Sequence, residues 1–353
     1  MKYTIITVFL ASFLLAGCLG INIPGLGGGN VTIVKENATK SNGSIEITNK
    51  TNTSTIVEPP QKNGTLPEEN NTPIVFPPEQ NKTPGAHYKE TPNERFAVYL
   101  INVGDDQGQG DAIFVKRGDL DILIDAGPAR NSGKVIDFLN RRGIDDIDIL
   151  VSTEADEEHY GGMDAVLGSF PVEEFWWTGK SYGNTKYEAT VKKAEDRGAL
   201  VKTVKRGDVF TLNNLKFNIL NPKDGSTFSD PQNNAIVTKI TSGDFCILLT
   251  SDITSSASSD LLNTQDIKCS LLQLPYHGLG KGNFNIDLFL LKVSPSYAFV
   301  SGGSYDPSSD GRGTRWPVLE KLKLRSIPYM ENYKSGTIKV ESDGISYSVE
   351  NAD

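Results

Sequence analysis

From Phe96 onward the chain alternates short apolar runs with Gly and Asp, whereas the stretch before it has no sustained apolar periodicity. FAVYLINVG, DAIFVKRG and LDILIDAG read as three strands bounded by turn residues. SGKVIDFLNRRG places Val135, Phe138 and Leu139 on one helical face, with Gly143 as its stop. An apolar run from Ile147 to Thr153 predicts a buried strand, and a helix follows from about Met163 to Leu167. VEEFWWTG predicts a strand, TKYEATVKKAEDRG a helix with Tyr187, Val191 and Ala194 at helical spacing, and VKTVK, DVFTL and LKFNILNP short strands. The second half has the same texture. AIVTKITSG and FCILLTSD read as strands, SSASSDLLN as a short helix, and SLLQLPYHG as a strand ending in a polar corner. FNIDLFLLKV reads as a helix, YAFVSGG as a strand, and WPVLEKLKL as a helix with Pro317 in its first turn. GTIKVES and GISYSVE form a closing hairpin. Strand groups alternating with helices in two similar halves imply a layered α/β architecture.

The N-terminal part is of another kind. Residues 1–18, MKYTIITVFLASFLLAGC, set one Lys and an apolar stretch ahead of small residues, the form of a secretory signal. Leu15-Ala16-Gly17-Cys18 resembles a prokaryotic lipobox, which implies lipidation of Cys18 and an exported, cell-surface protein lipid-anchored to the cell membrane. An ordinary signal cut nearby and an uncleaved anchor are the alternatives; the apolar core is short for a bilayer span. Residues 19–95 are rich in Gly, Asn, Thr, Pro, Lys and Glu and cannot bury enough surface to offset ordering entropy. Eight N-x-[ST] triplets, at Asn30, Asn37, Asn42, Asn49, Asn52, Asn63, Asn70 and Asn81, fall in this stretch and none follows it. We read a disordered stalk and candidate glycoprotein segment, archaeal in style by analogy, with His87 a solvated stalk residue. The domain plan is thus a signal at 1–18, a linker at 19–95 and a folded domain at 96–351.

Charge narrows the partners. A net charge of −9 argues against a basic, sequence-independent nucleic-acid surface, which needs clustered Lys and Arg. A metal-centred phosphate site stays open, because a cation supplies the positive charge. Cys246 and Cys269 lie in apolar strand-like runs and read as buried small hydrophobes in preference to a disulfide. No zinc-finger spacing occurs.

Three corners share one form, an apolar strand followed by polar residues: LVSTEADEEH at 150–159, LLTSD at 248–252 and LQLPYHG at 272–278. Glu154, Asp156, Glu158 and His159 come from the first, Asp252 from the second and His277 from the third. Oxygen and imidazole donors delivered from separate strand ends are how a divalent-cation site is assembled. Carboxylates crowded together without a cation would raise one another's pKa and cost stability. Each corner also has a plain alternative: a solvated acidic loop for EADEEH, a helix N-cap for Asp252, a hydrogen-bonded loop residue for His277.

Taken in order, these motifs resemble the metallo-β-lactamase-fold domain of ComEC-type competence proteins, over residues 97–350. The family's D-V-G-Q-G-D-A is matched by Asn102-Val103-Gly104 and Gln109-Gly110-Asp111-Ala112, with four residues inserted. I-D-x-G is matched by Ile124–Gly127, T-H-x-D-x-D-H-x-G-G by Thr153–Gly162, L-L-T-G-D by Leu248–Asp252 and P-H-H-G by Pro275–Gly278. Asn233-Asn234 is similar to the family's N-N-x-S-L. The resemblance implies an αββα sandwich with its site on one edge. It departs at Glu154 and Glu158, which replace His and Asp, at Tyr276, which replaces His, and at Thr314-Arg315, where G-H-P loses its histidine. A site of Glu154, Asp156, Glu158, His159, Asp252 and His277 is rich in oxygen and would favour Mn2+ or Mg2+ over Zn2+.

The resemblance implies a surface-anchored metal-dependent hydrolase of phosphodiesters, with extracellular DNA as substrate or cargo for uptake. One arrangement has two cations on Glu154/Asp156 and Glu158/His159/His277, bridged by Asp252. Asp156 or Glu158 would act as general base, and Asn234 and Arg315 would contact substrate, with a surface ion pair as the alternative for Arg315. The competing reading is a catalytically degenerate member, without metal, that binds nucleic acid or an uptake partner. Loss of the histidine-rich zinc set argues against β-lactam hydrolysis.

Overall fold

The protein is described here from a computed structural model, which covers residues 88–225, 228–280, 285–304 and 315–353. The signal, Cys18, the eight triplets, His87 and Thr314 lie outside the described residues.

Strands β1 (Phe96–Leu100), β2 (Ile113–Arg117) and β3 (Leu120–Ile124) form an antiparallel meander. Helix α1 (Ser132–Arg141) then crosses to β4 (Ile147–Val151), which runs parallel to β3. The short α2 (Glu157–Tyr160) and α3 (Met163–Ser169) lead to β5 (Val172–Trp177), and α4 (Thr185–Asp196) to β6 (Leu200–Thr203), both parallel additions. The second sheet repeats this plan. Strands β7 (Val209–Leu212), β8 (Leu215–Asn221), β9 (Val237–Ser242) and β10 (Phe245–Leu249) are antiparallel. After α5 (Ser255–Thr264) come β11 (Leu271–Gln273), α6 (Ile286–Val293), β12 (Tyr297–Val300), α7 (Trp316–Leu324) and β13 (Tyr329–Glu331), with β10 to β13 parallel. A final turn of helix, α8 (Asn332–Ser335), precedes the hairpin of β14 (Ile338–Ser342) and β15 (Tyr347–Asn351), which returns to the first sheet beside β1. Among the described residues the sheets have eight and seven strands.

Strand periodicity explains the layering. Ile122, Ile124, Ile149 and Val151 project between the sheets to meet Phe217, Ile240, Ile247, Leu249 and Phe299. The alternate residues of β10 to β12, such as Leu248, Leu272 and Ala298, face outward and are covered by Leu261 of α5, Phe289 and Leu290 of α6 and Leu322 of α7. Strands buried on both faces read as unbroken apolar runs, which is why the parallel half was visible in the sequence. The short β13, α2 and α8 were not, since three or four residues carry no period.

Two expectations are corrected. Cys246 and Cys269 form a disulfide, with Cα atoms 5.2 Å apart. The pairing follows from the parallel register of β10 and β11, which aligns Ile247 with Leu271, and register is not written in either segment alone. Residues 88–95, read as the end of the stalk, are fastened to the domain. The Thr91 amide donates to Asn213 Oδ1 at 2.7 Å. The buried Arg117 guanidinium donates to the carbonyls of Glu94, Pro92 and Asn213 and to Ser242 Oγ.

The outer face of the first sheet holds a buried acid pair. Asp148 accepts from the Asp121 amide at 2.7 Å, and Asp121 pairs with Lys116 at 2.7 Å. Burial, with Asp146, Glu173 and Asp121 nearby, pushes Asp148 up to about 7. A carboxyl raised on folding contributes stability that is complete below its unfolded pKa, near 4, and is lost as pH rises through 7. Asp148→Asn keeps the acceptor and has no charge to bury. Its melting temperature relative to the unchanged protein should therefore climb between pH 5 and pH 8. In the core, Phe299→Ala should cost about 3–5 kcal/mol in denaturant unfolding, while Leu324→Ala at the exposed end of α7 should stay within about 0.5 kcal/mol.

Candidate metal centre

The carboxyl ends of the parallel strands of both sheets meet at one edge of the sandwich, the usual place for a site in open α/β sheets. At that edge the chain turns sharply. Asp125, Ser251, Tyr276 and His277 all take left-handed backbone conformations, with φ of 58°, 49°, 52° and 52°. Such conformations cost non-glycine residues energy and persist where surrounding contacts hold them. The Gly161-Gly162 pair lets the loop pass close beneath β3: a Cβ on Gly162 would collide with the carbonyl of Ala126. The Gly162 amide instead donates to the Gly127 carbonyl, and the Ala126 amide to the His159 carbonyl, both at 2.8 Å. Asp156 caps α2, accepting from the Glu158 amide at 3.0 Å, and so sets the helical turn that aims Glu158 and His159 inward.

His159 and His277 face each other, fully buried, with ring centroids 5.7 Å apart. Asp252 stands between them, its Oδ2 3.4 Å from His159 Nε2 and 3.3 Å from His277 Nε2. Glu154 Oε1 lies 3.6 Å from His159 Nε2, and Glu158 Oε2 lies 3.8 Å from His277 Nε2. Glu154 thus goes with His159 and Glu158 with His277, a different sorting from the one expected above. Asp252 is in the middle, as expected; the N-cap position of α5 is Thr254, so the N-cap alternative for Asp252 fails.

The far side of each ring is pinned. His159 Nδ1 lies 2.8 Å from Asp125 Oδ2, and Asp125 also accepts from the Thr153 amide at 2.9 Å and the Thr153 hydroxyl at 2.6 Å. His277 Nδ1 lies 3.1 Å from the Ser301 carbonyl. A carboxylate or a carbonyl oxygen can only accept, so both Nδ1 atoms carry the proton. When neutral, each ring would therefore turn the Nε2 lone pair toward Asp252, the state a cation requires; when protonated, it would point Nε2–H there instead. Both Nε2 atoms and Asp252 Oδ1 are buried without a hydrogen-bond partner. Stranded polar atoms cost free energy unless something else meets them.

The electrostatics agree. Burial alone would depress both imidazoles. Glu154, Asp252 and Asp125 overrule it at His159, whose pKa is raised well above the ordinary value. Asp252 and Asp111 do the same at His277, raised to about 10. Burial pushes Glu154 well up, and the nearby Asp252 adds to the rise. Burial would raise Asp252 too, but His277 and His159 hold it below the ordinary carboxylate range. The pocket takes up positive charge, as protons or as a cation. His159, Asp252 and His277 form a potential metal-holding group, as do Asp111, Asp125 and His159. Two atoms each about 2.1 Å from one cation sit about 3–3.5 Å apart, close to the separations around Asp252. The residues fit a divalent ion.

Other expected site residues are placed differently. Of the expected ligands, Glu154, Asp156 and Glu158 are in neither group; Asp156 lines a neighbouring cavity of about 400 Å³ with Glu154, Tyr182, Asn184, Asp230 and Gln232. Asn234 is buried and spends its amide on Phe228 N, Phe228 O and Asp230 O, a loop brace where a substrate contact was expected. Arg315 is only 8% exposed and bonds to the His277 carbonyl and Gln109, which corrects both the phosphate contact and the surface ion pair. Asp111, Asp125, Thr153, Ser251 and Gln273 were not read as site residues. Gln273 donates to Asp111 at 2.6 Å and to Ser301 at 2.9 Å, and Ser251 to Glu154 at 3.0 Å. Asp111 and Asp125 lay in matched motifs, but an acid beside a glycine reads equally as a turn. The lone Gln in the apolar run SLLQLP was the clearest missed signal.

Two facing mixed sheets flanked by helices, with an imidazole–carboxylate cluster on the edge, make this a metallo-β-lactamase-fold protein. In line with that, it is similar to the metallo-β-lactamase-fold protein YhfI from Bacillus subtilis, with a TM-score of 0.50, 11% identity, and 70% of this chain and 100% of that one covered. Within the fold, its sequence is similar to those of competence proteins, bearing out the ComEC-type resemblance. ComE operon protein 3 of Bacillus subtilis is 28% identical over 255 residues, covering 66% of this chain and 32% of that protein. Competence protein ComA of Neisseria gonorrhoeae is 26% identical over 204 residues, covering 56% and 26%. The chain spans a third or less of the length of these relatives. No protein-family model matches it.

Asp125→Asn removes the charge that orients His159 and leaves the Thr153 amide an acceptor. It should weaken divalent-cation binding by about 10–100-fold, read by calorimetric titration, with little change in far-UV circular dichroism.

Proposed function

We propose that this protein is an exported, surface-anchored, divalent-metal-dependent phosphodiesterase acting on nucleic acid outside the cell. The observation that carries the reading is the set of buried, unpartnered atoms, His159 Nε2, His277 Nε2 and Asp252 Oδ1, on rings whose opposite nitrogens are pinned as donors. Mn2+ or Mg2+ suits a donor set in which each imidazole is matched by a glutamate and Asp252 is shared. A bound divalent cation would supply a Lewis acid that makes water a nucleophile near neutral pH and neutralises phosphoryl oxygens.

The chain's own residues do the rest. Asp125 and the Ser301 carbonyl fix ring orientation, so no reorganisation is needed when substrate arrives. Glu158 is held by the Gln109 amide, 3.2 Å from Oε1, and its Oε2 faces the centre. That placement supports Glu158 over Asp156 as the group that takes a proton from water. The cavity beside Glu154 would receive the part of the substrate next to the scissile phosphate. Nucleic acid as substrate rests on the competence names of the relatives. Export and lipidation at Cys18 rest on the sequence; among the described residues no helix is long and apolar enough to cross a membrane.

The full chain should hydrolyse bis(4-nitrophenyl) phosphate with Mn2+, lose the activity in EDTA, and drop about 100-fold or more in kcat as Asp252→Asn. Mn2+ binding without turnover, together with retained binding of single-stranded DNA, would replace this reading with that of a degenerate binding protein.

A further inference from the structure

Arg315 has no part in the proposed chemistry, yet its guanidinium is buried against the back of the site. Its Nε donates to the His277 carbonyl at 2.8 Å. Its Nη2 donates to Gln109 Oε1, which also accepts from the Gly303 amide at 2.8 Å. The guanidinium lies over the Tyr333 ring, 4.6 Å from the centroid, and a Cβ on Gly302 would come within 2.6 Å of Nη2 and 3.4 Å of His277 Cβ. The group is thus fixed on several sides.

What it grips is the strained part of the loop. Tyr276 and His277 are consecutive left-handed residues, an arrangement that relaxes unless held. The Tyr276 amide is tied to the Ser251 carbonyl at 3.1 Å and the His277 ring to the Ser301 carbonyl. The peptide leaving His277 is held by Arg315. The other arm of the same guanidinium reaches the Gln109 side chain, and the backbone N–H of Gln109 donates to Glu158 Oε1. One side chain therefore touches the backbone of His277 and, through a single residue, the carboxylate facing that imidazole. A lysine could not make both contacts, since it offers a point charge and no planar fork.

We infer that Arg315 is a positioning residue that clamps His277 in its ligating conformation and sets the spacing between His277 and Glu158. This rests on the reading of His277 as a metal ligand, and the test separates the two. Mn2+ affinity of the full chain is measured from the electron paramagnetic resonance of free Mn2+, in the unchanged protein, Arg315→Met, His277→Ala and the double variant. Arg315→Met should weaken binding by about 10–100-fold. In the His277→Ala background the same change should add less than about threefold, because a group acting through a partner does nothing once the partner is gone. A merely structural arginine would lower affinity equally in both backgrounds, and that result overturns the clamp. Equal affinity of the unchanged protein and Arg315→Met also overturns it while leaving the metal reading intact. No Mn2+ uptake by the unchanged protein overturns both. Should Arg315→Met fail to fold, Arg315→Lys keeps the charge and stem; full affinity in that variant overturns the clamp, and a loss confined to the background with His277 supports it.

Discussion

Two imidazoles buried among carboxylates set the terms for the whole edge of this sandwich. Burial alone penalises that much acid, and the neighbouring features orient a ring or distribute charge. Asp125 and the Ser301 carbonyl hold the outer nitrogens, Thr153 and Ser251 bridge the carboxylates of one side, and Gln273 donates a hydrogen bond to Asp111. Hydrogen bonds of this kind are strong in a low-dielectric setting and costly when incomplete. Among the described residues, His159 Nε2, His277 Nε2, Asp252 Oδ1 and Asp111 Oδ1 are the cluster's buried atoms left without a hydrogen-bond partner.

The fold was more legible than the site. Strands such as Leu120–Ile124 and Phe245–Leu249 are buried along their whole length and stood out as apolar runs. Helices α1 and α4 were legible through Val135, Phe138, Leu139, Tyr187, Val191 and Ala194, all buried in the structure. What needed coordinates was everything that depends on which strand neighbours which. The Cys246–Cys269 link depends on register. So does the sorting of Glu154 with His159 and Glu158 with His277, which a linear motif cannot express because Asp252 and His277 arrive from the other sheet. Arg315 looked like an exposed cation because its local sequence is polar; its burial comes from Gln109, some two hundred residues away in the chain.

The replacement of histidines by glutamates changes the character of the site without emptying it. Glu154 lies beside His159 and accepts from the Ser251 hydroxyl; Glu158 lies beside His277 and accepts from the backbone N–H of Gln109. Each glutamate is therefore held by a donor of its own. The same two donors come from opposite sheets, so the centre staples the two halves of the sandwich at their shared edge.

The fastening of residues 91–94 to Arg117 bears on mechanics. That guanidinium sits on a strand of the first sheet and reaches Asn213 and Ser242 in the second, while also gripping the leading segment. Tension arriving along the polypeptide from its amino-terminal side would be shared between both layers before it could peel β1 from its neighbours, so the edge that carries His159, Asp252 and His277 would be shielded from that strain.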